Sequence, residues 1–451
     1  MAQSIAVPTS RERTRWQRIK QNHLWRYLRQ YWGRYVFGLS MLTVAAFASL
    51  VPPIIIRDAI DALVDGTTEG ALLRFGAILI GLAVIESAIR FVGRWYISSS
   101  ARQIEYSLRS DLLWQFMRLD RGFFLRSRTG DLMARATNDL QWVRDFLGPT
   151  FNELWRTLIM TTAGIALLFT IDVRLTFIAI AYLPFISGLI VFLETGMERR
   201  FTEVQEQFGV LTNRVQENIS GIRSIKAYAQ EQAEIDTFSG ENNEMMRRSM
   251  GFAYYAAGFF PVMIFATGIG TGLVLWYGGH DVIDGNITIG QFVQFNFYLA
   301  LLTSQLAGLG WIVASWQQGS ASMGRISAIL EELPAIDDPA DPRAPDTIRG
   351  DIEYRDVTVR HSPDSPPVLD HLNLHIEAGT TVAIVGETGS GKTTLIDALA
   401  RLHDPQEGAV LVDGIDVRQW PLAELRAAIG FVPQEALLFS ESLRENVAFG
   451  R

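Results

Sequence analysis

Cysteine is absent from the 451 residues. That excludes disulfides, zinc–thiolate sites and thiol catalysis, and it leaves the compartment undecided. Lysine is almost absent: among 40 basic residues only Lys20, Lys226 and Lys392 are lysines, the rest being arginine. A surplus of positive charge is lacking too. The formal net charge is −8, which argues against nucleic acid as a partner. No cleavable leader is read at the N-terminus, because Arg11 to Arg34 is arginine-rich and the apolar run behind it is too long.

What the chain has in excess is apolar residues, at 48%. This is high for a soluble enzyme and points to a membrane part. Six apolar segments, roughly 35–56, 71–97, 149–171, 175–196, 252–278 and 288–314, are each long enough to cross about 30 Å of hydrocarbon. Pro52, Pro53, Pro184 and Pro261 fall inside them. Such kinks are tolerated where neighbouring groups satisfy the freed carbonyls. Glu86 and Arg90, one turn apart in the second segment, are expected to pair or to face a wet cavity. Ahead of the first segment, His23 to Tyr35 mixes Trp25, Tyr27, Tyr31 and Trp32 with arginines. That mixture reads as a helix in the headgroup region or as a soluble amphipathic helix.

The links are unequal. Segments two and three, and four and five, are joined by about fifty residues each, rich in arginine. The positive-inside rule puts these links in the cytoplasm, and the acidic link 57–70 outside. Both termini are then cytoplasmic. Residues 101–120 and 199–220 carry helical apolar spacing without proline, so they should prolong the membrane helices. Short polar turns interrupt the links at Arg128-Thr129-Gly130-Asp131 and at Ser220-Gly221. Either turn could touch a cytoplasmic domain or remain a solvated loop. In the last segment Gln291, Gln294, Tyr298 and Gln305 lie within about 60° of one another on a helix. That stripe faces a water-filled cavity or bonds to another helix.

Residues 331–350 are rich in Pro and Asp, without apolar period, and read as a linker. Strands are expected at 352–359, 368–376 and 381–385, with a strand and turn at 408–414 and a short helix at 422–429. Between the third strand and a helix over 394–402 stands Gly386-Glu387-Thr388-Gly389-Ser390-Gly391-Lys392-Thr393, followed by Thr394. This fits G-x-x-x-x-G-K-[ST]. Glycines allow the tight turn that aims backbone N–H groups at phosphates. Lys392 would reach the β- and γ-phosphates, and the Thr393 hydroxyl would ligate Mg²⁺. A helix N-terminus behind the loop also favours anions. The competing reading is a glycine-rich turn without a ligand. The order strand, loop, helix speaks against it.

From about residue 30 onward the chain resembles a bacterial half-transporter of the ATP-binding cassette superfamily, exporter type. The resemblance rests on the six-span layout, on residues 128–139 and 220–228, on the phosphate loop, and on Phe431-Val432-Pro433-Gln434, which is similar to the family's glutamine loop. It implies a mainly α membrane protein whose six transmembrane helices carry long cytoplasmic extensions. The N-terminal part of an α/β P-loop nucleotide-binding domain would follow. The expected division is 1–34 with an interfacial helix, 35–325 membrane domain, 326–350 linker and 351–451 nucleotide-binding part.

By the same resemblance ATP and Mg²⁺ are the cofactors. Gln434 would sense the metal and the γ-phosphate, and His361 would stack on adenine. The turns near Gly130 and Gly221 would couple to the membrane helices. Partners would be a second half-transporter, membrane lipids and a small amphipathic substrate (drug, lipid or peptide), in the cytoplasmic membrane. The family's LSGGQ-like signature, acidic pair and switch histidine are not found. The general base is therefore expected beyond Arg451, and hydrolysis by this stretch alone is expected to be weak or absent. An ATP-gated channel or regulatory membrane protein on the same scaffold, or an inactive remnant, is the alternative to an exporter.

Overall fold

The computed structural model describes residues 23–360, 365–434 and 437–450. Helices dominate. In chain order they are α1 (His23–Gln30), α2 (Trp32–Ser49), α3 (Pro52–Val64), α4 (Glu69–Arg118), α5 (Arg121–Arg126), α6 (Thr129–Ala134), α7 (Leu140–Asp145) and α8 (Phe151–Ile171). They continue as α9 (Val173–Ser220), α10 (Ile222–Ala227), α11 (Glu231–Ile283), α12 (Ile289–Ala307) and α13 (Leu309–Leu330). The remaining elements are β1 (Ile352–Val359), β2 (Leu369–Ile376), α14 (Lys392–Leu399), β3 (Glu407–Val412), β4 (Ile415–Asp416), α15 (Leu422–Ala427) and α16 (Leu443–Val447). Two compact units result, 1–108 with 139–324 and 109–138 with 325–451, the first and last residues being described only as stated.

Six helical runs among the described residues, lying mostly in the first unit, are long and apolar enough to cross a membrane: Trp32–Val64, Glu69–Arg118, Thr129–Ile171, Val173–Ser220, Glu231–Ile283 and Ile289–Leu330. Each contains one of the expected segments. α4, α9 and α11 run for 50, 48 and 53 residues. At 1.5 Å per residue that is about 75 Å, more than twice the hydrocarbon thickness. Long helical extensions beyond the membrane are therefore real. Leu73, Ile80, Val84, Ile85 and Phe91 on α4 are exposed, as lipid-facing side chains are.

The core of this unit gathers Ala46, Leu50, Met160, Leu168, Leu175, Val274, Phe295, Tyr298 and Leu302. Its polar detail explains the first kink. Pro52 and Pro53 have no N–H to continue the helix, and the Ile54 N–H turns to the Val51 carbonyl at 2.9 Å. The Leu50 carbonyl that this frees accepts the Tyr298 hydroxyl at 2.8 Å. Tyr298 thus resolves toward an interhelical bond. Gln294 and Gln305 are buried beside it, each with a side-chain oxygen that no partner meets. Gln291 instead caps α12, accepting the Thr288 N–H at 2.9 Å.

Glu86 and Arg90 pair as expected, Arg90 Nε donating to Glu86 Oε1 at 2.7 Å. Two features were not foreseen. Wide π-type turns replace regular helix at Arg135–Asp139 and Phe146–Thr150. The second contains Pro149, which cannot donate to the carbonyl four residues back, so the helix widens there. The second surprise lies where α3 meets α12: Asp61 accepts from the Thr288 hydroxyl at 2.8 Å and from the Gly290 N–H at 2.9 Å.

The second unit holds an antiparallel sheet in the order β2-β1-β3-β4. β1 sits between β2 and β3, and its Tyr354, Val357 and Val359 are buried. They pack with Leu369, Val410, Val412, Val417, Trp420 and Leu425 and with Leu395 and Ala398 of α14. The expected strand at 381–385 does not form. Thr381 to Val385 is unpaired backbone with all side chains exposed, Val385 at 90%. Its β-branched composition is right for a buried parallel strand. Among the described residues, however, no strand lies beside it to complete the ladder.

Candidate nucleotide-binding site

The phosphate loop is shaped by backbone first. Gly389 and Gly391 have φ of +87° and +88°, the left-handed region that other residues enter only with strain. At Gly391 space forbids a side chain as well. A Cβ there would lie 2.9 Å from the Val368 carbonyl oxygen and 3.0 Å from Leu369 Cδ2. Gly391 is also the N-cap of α14 and supplies no side-chain acceptor. The first-turn N–H groups of α14 thus keep no side-chain cap, which is the condition for an anion to take them.

Lys392 opens α14, and its ammonium folds back over the loop. Nζ donates to the Gly386 carbonyl at 2.8 Å and to the Glu387 carbonyl at 2.7 Å, with Ser390 Oγ at 3.4 Å. The loop is closed on itself by the Ser390 N–H to the Glu387 carbonyl at 3.2 Å. Glu387, Thr388 and Thr393 are exposed, and Thr394 is buried. A cradle of glycines, uncapped donors and one centred cation fits a polyphosphate.

α14 is fixed along its length. Leu395 and Ala398 seat it on the sheet. The Tyr354 hydroxyl donates to the Leu395 carbonyl at 3.0 Å, and burial pushes that phenol up to about 12. At the far end the Arg426 guanidinium donates to the Ala400 and Arg401 carbonyls at 3.3 and 3.0 Å, a cation closing the negative end of the helix dipole. Burial lowers the Arg426 pKa. Asp413 stitches the linker to the β3–β4 turn, accepting N–H groups of Arg349, Gly350 and Asp351 at 2.8, 3.1 and 3.0 Å. Burial raises its carboxyl, but these donors outweigh that and hold it below the usual carboxylate range.

Of the residues read from the sequence, Gly386 to Thr394 come together as one loop and helix start. Gln434 lies in exposed backbone without regular structure, and the described residues give it no hydrogen bond to the loop. His361 lies outside the described residues. The turn at Arg128–Asp131 begins the short helix α6, where Asp131 pairs with Arg135 at 2.5 Å; the turn at Ser220–Gly221 leads into α10. Missed altogether was an ion pair in the second unit between Arg121 of α5 and Asp397 of α14. A signal did exist. Asp397 stands between Leu395 and Ala398 on the buried face of its helix, and a carboxylate there needs a partner.

Six membrane-crossing runs and a phosphate loop on one chain define a membrane protein that binds nucleotide. Residues 35–306 match the ABC transporter transmembrane region and residues 369–450 match the ABC transporter family. The chain belongs to the ABC transporters, multi-pass membrane proteins whose complete forms couple an ATPase to transport. It is 33% identical over 430 residues to the probable multidrug resistance ABC transporter ATP-binding/permease protein YheI of Bacillus subtilis, covering 94% of this chain and 73% of that one. The multidrug resistance-like ATP-binding protein MdlA of Escherichia coli is 31% identical over 430 residues, 94% of this chain and 72% of its own. The ATP-dependent lipid A-core flippase of Syntrophus aciditrophicus is 29% identical over 417 residues, 92% and 69% of the two chains.

Proposed function

We propose that the protein is half of a dimeric exporter that uses ATP to move a small amphipathic molecule (a drug, lipid or peptide) out across the bacterial cytoplasmic membrane. The observation that carries this reading is the glycine cradle centred on Lys392, on the same chain as six membrane-crossing runs. The names of the relatives, two multidrug and one lipid A-core, favour an amphipathic substrate. Arginine-rich long links and the acidic link 57–70 favour an orientation with both termini and the phosphate loop in the cytoplasm.

In this reading the Gly386–Thr394 backbone orients the phosphates of ATP, and Lys392 leaves the Gly386 and Glu387 carbonyls to meet them. The Thr393 hydroxyl and Gln434 would hold Mg²⁺ together with phosphate oxygens. Among the described residues no cluster of three His, Asp or Glu side chains could hold a metal alone. His361 would stack on adenine. ATP supplies the free energy, as binding and as phosphoanhydride hydrolysis, for two halves to exchange inward- and outward-open arrangements.

ATP-dependent uptake of a fluorescent amphipath into inside-out vesicles tests this. Lys392→Ala is expected to abolish uptake. Flow down the gradient that ATP opens without continuous hydrolysis would replace the exporter with an ATP-gated channel.

A further inference from the structure

We infer that α9 and α11 together hold the head group of an anionic phospholipid, in a cleft at the level where both helices leave the membrane. The inference needs the membrane reading of these helices and not the exporter reading. Its observation is a polar cleft of about 610 Å³ between them, a size within the range of small-molecule sites. Three guanidiniums line it, those of Arg200, Arg247 and Arg248, against the two carboxylates of Glu203 and Glu206. The balance is one positive charge, which complements one lipid phosphodiester.

Height along the helices selects a lipid. The apolar segment of α9 ends near residue 196, and that of α11 begins near residue 252. Packing brings these two ends together: a Cβ at Gly196 would lie 3.0 Å from the Tyr255 ring. Arg200 is one turn beyond Gly196, and its guanidinium sits 5.8 Å from the centre of the same ring. Tyr254 and Tyr255, which complete the wall, are 74% and 43% exposed. Tyrosine and arginine just outside an apolar run make the composition of the head-group layer. Basic pockets between helices at that level take lipid phosphates.

The arginines are held in place without being used up. Arg200 Nη1 donates to Glu203 Oε2 at 3.1 Å. Arg247 meets Glu244 through Nε and Nη2 at 2.7 and 2.5 Å, and Arg248 Nε donates to the same carboxylate at 2.8 Å. Arg248 Nη1 crosses to the Glu203 carbonyl of α9 at 3.0 Å. Each guanidinium has five N–H groups, and among the described residues these bonds take one or two from each. The others are left for phosphate oxygens, which the guanidinium fork meets in pairs. Carboxylates that fix the arginines beforehand also reduce the side-chain entropy lost on binding. Space is available as well: a Cβ at Gly251, in the cleft wall, would meet nothing within 4 Å.

Native mass spectrometry of the purified protein in a neutral detergent tests this, without nucleotide. Phosphatidylglycerol and phosphatidylcholine of matched acyl chains are titrated separately, and the constant for the first lipid bound is read. Phosphatidylglycerol is expected to bind at least about fivefold more tightly. The double variant Arg200→Gln/Arg247→Gln, which turns the cleft net negative, is expected to lose that preference. So is Gly251→Leu, which fills the cleft and leaves every charge in place. If the arginine variant does not fold, Gly251→Leu carries the test, since its added side chain enters open space. Equal affinity for the two lipids overturns the inference, and so does a preference that survives in either folded variant. Displacement of phosphatidylglycerol by millimolar inorganic phosphate would replace the lipid site with one for a soluble anion.

Discussion

Two runs of nearly the same composition meet opposite fates. In Ala409-Val410-Leu411-Val412 of β3 the last three residues are buried, the run pairs with β1 on one side, and Leu411 and Val412 pair with β4 on the other. Thr381-Val382-Ala383-Ile384-Val385, which leads into the phosphate loop, is unpaired and exposed. Propensity cannot separate them. What separates them is the supply of neighbours. β3 has an antiparallel strand on each side, β4 directly after it and β1 from far back in the chain, whereas no described strand lies beside 381–385 to take up its backbone groups. The loop is thus held by the helix behind it rather than by the strand before it. Its geometry survives because Gly389, Gly391 and Lys392 close it locally.

That contrast can be broken in order of effect. Val410→Ala, at a fully buried position, is expected to destabilise the second unit by about 2 kcal/mol, whereas Val385→Ala should stay within about 0.5 kcal/mol. Thermal unfolding in detergent reads both, and hydrogen exchange should protect the amides of 409–412 but not those of 381–385. Equal costs would mean that 381–385 is paired in solution.

Gly391→Ala forces a left-handed alanine against the Val368 carbonyl. It is expected to cost about 1–2 kcal/mol and to remove ATP binding, read by titration of a fluorescent ATP analogue. Unchanged binding would show that the helix, and not the glycine turn, positions the phosphates.

The smallest effect is acidic. Asp413 has its carboxyl held below the usual 3.8, so its contribution is complete above that pH and is lost as pH falls through the lower folded value. Asp413→Asn should flatten the loss of stability below pH 3.8, checked by melting temperatures across that range.

Much of this was legible in order of residues. A span needs about twenty apolar residues in a row, and that signal is local, so all six runs were found where they stand. Glu86 and Arg90 are one turn apart, and pair. The phosphate loop is likewise local: glycines at fixed spacing before a lysine. β1 and β2 announced themselves by alternation and composition.

What failed was whatever depends on a distant partner. Strand 381–385 was read from its composition alone. Arg121 and Asp397 are 276 residues apart in sequence, and only the fold brings them into contact. Tyr298 could be placed on a polar stripe but not assigned its acceptor, because the Leu50 carbonyl is freed by prolines in another helix. The wide turn at Pro149 was missed although proline was visible, since the period on either side continues almost undisturbed.

Lys392 leaves one consequence. With its ammonium clasped by the Gly386 and Glu387 carbonyls, the loop already has a resident, and any visitor is a competitor for that cation. Carbonyl dipoles are weak rivals of a phosphate charge but adequate ones against an uncharged group. Adenosine would leave the lysine where it is, and each added phosphate would strengthen the claim on it. On the proposed function, the loop would then act as a filter tuned to charge density, favouring ligands by their phosphates rather than by their base.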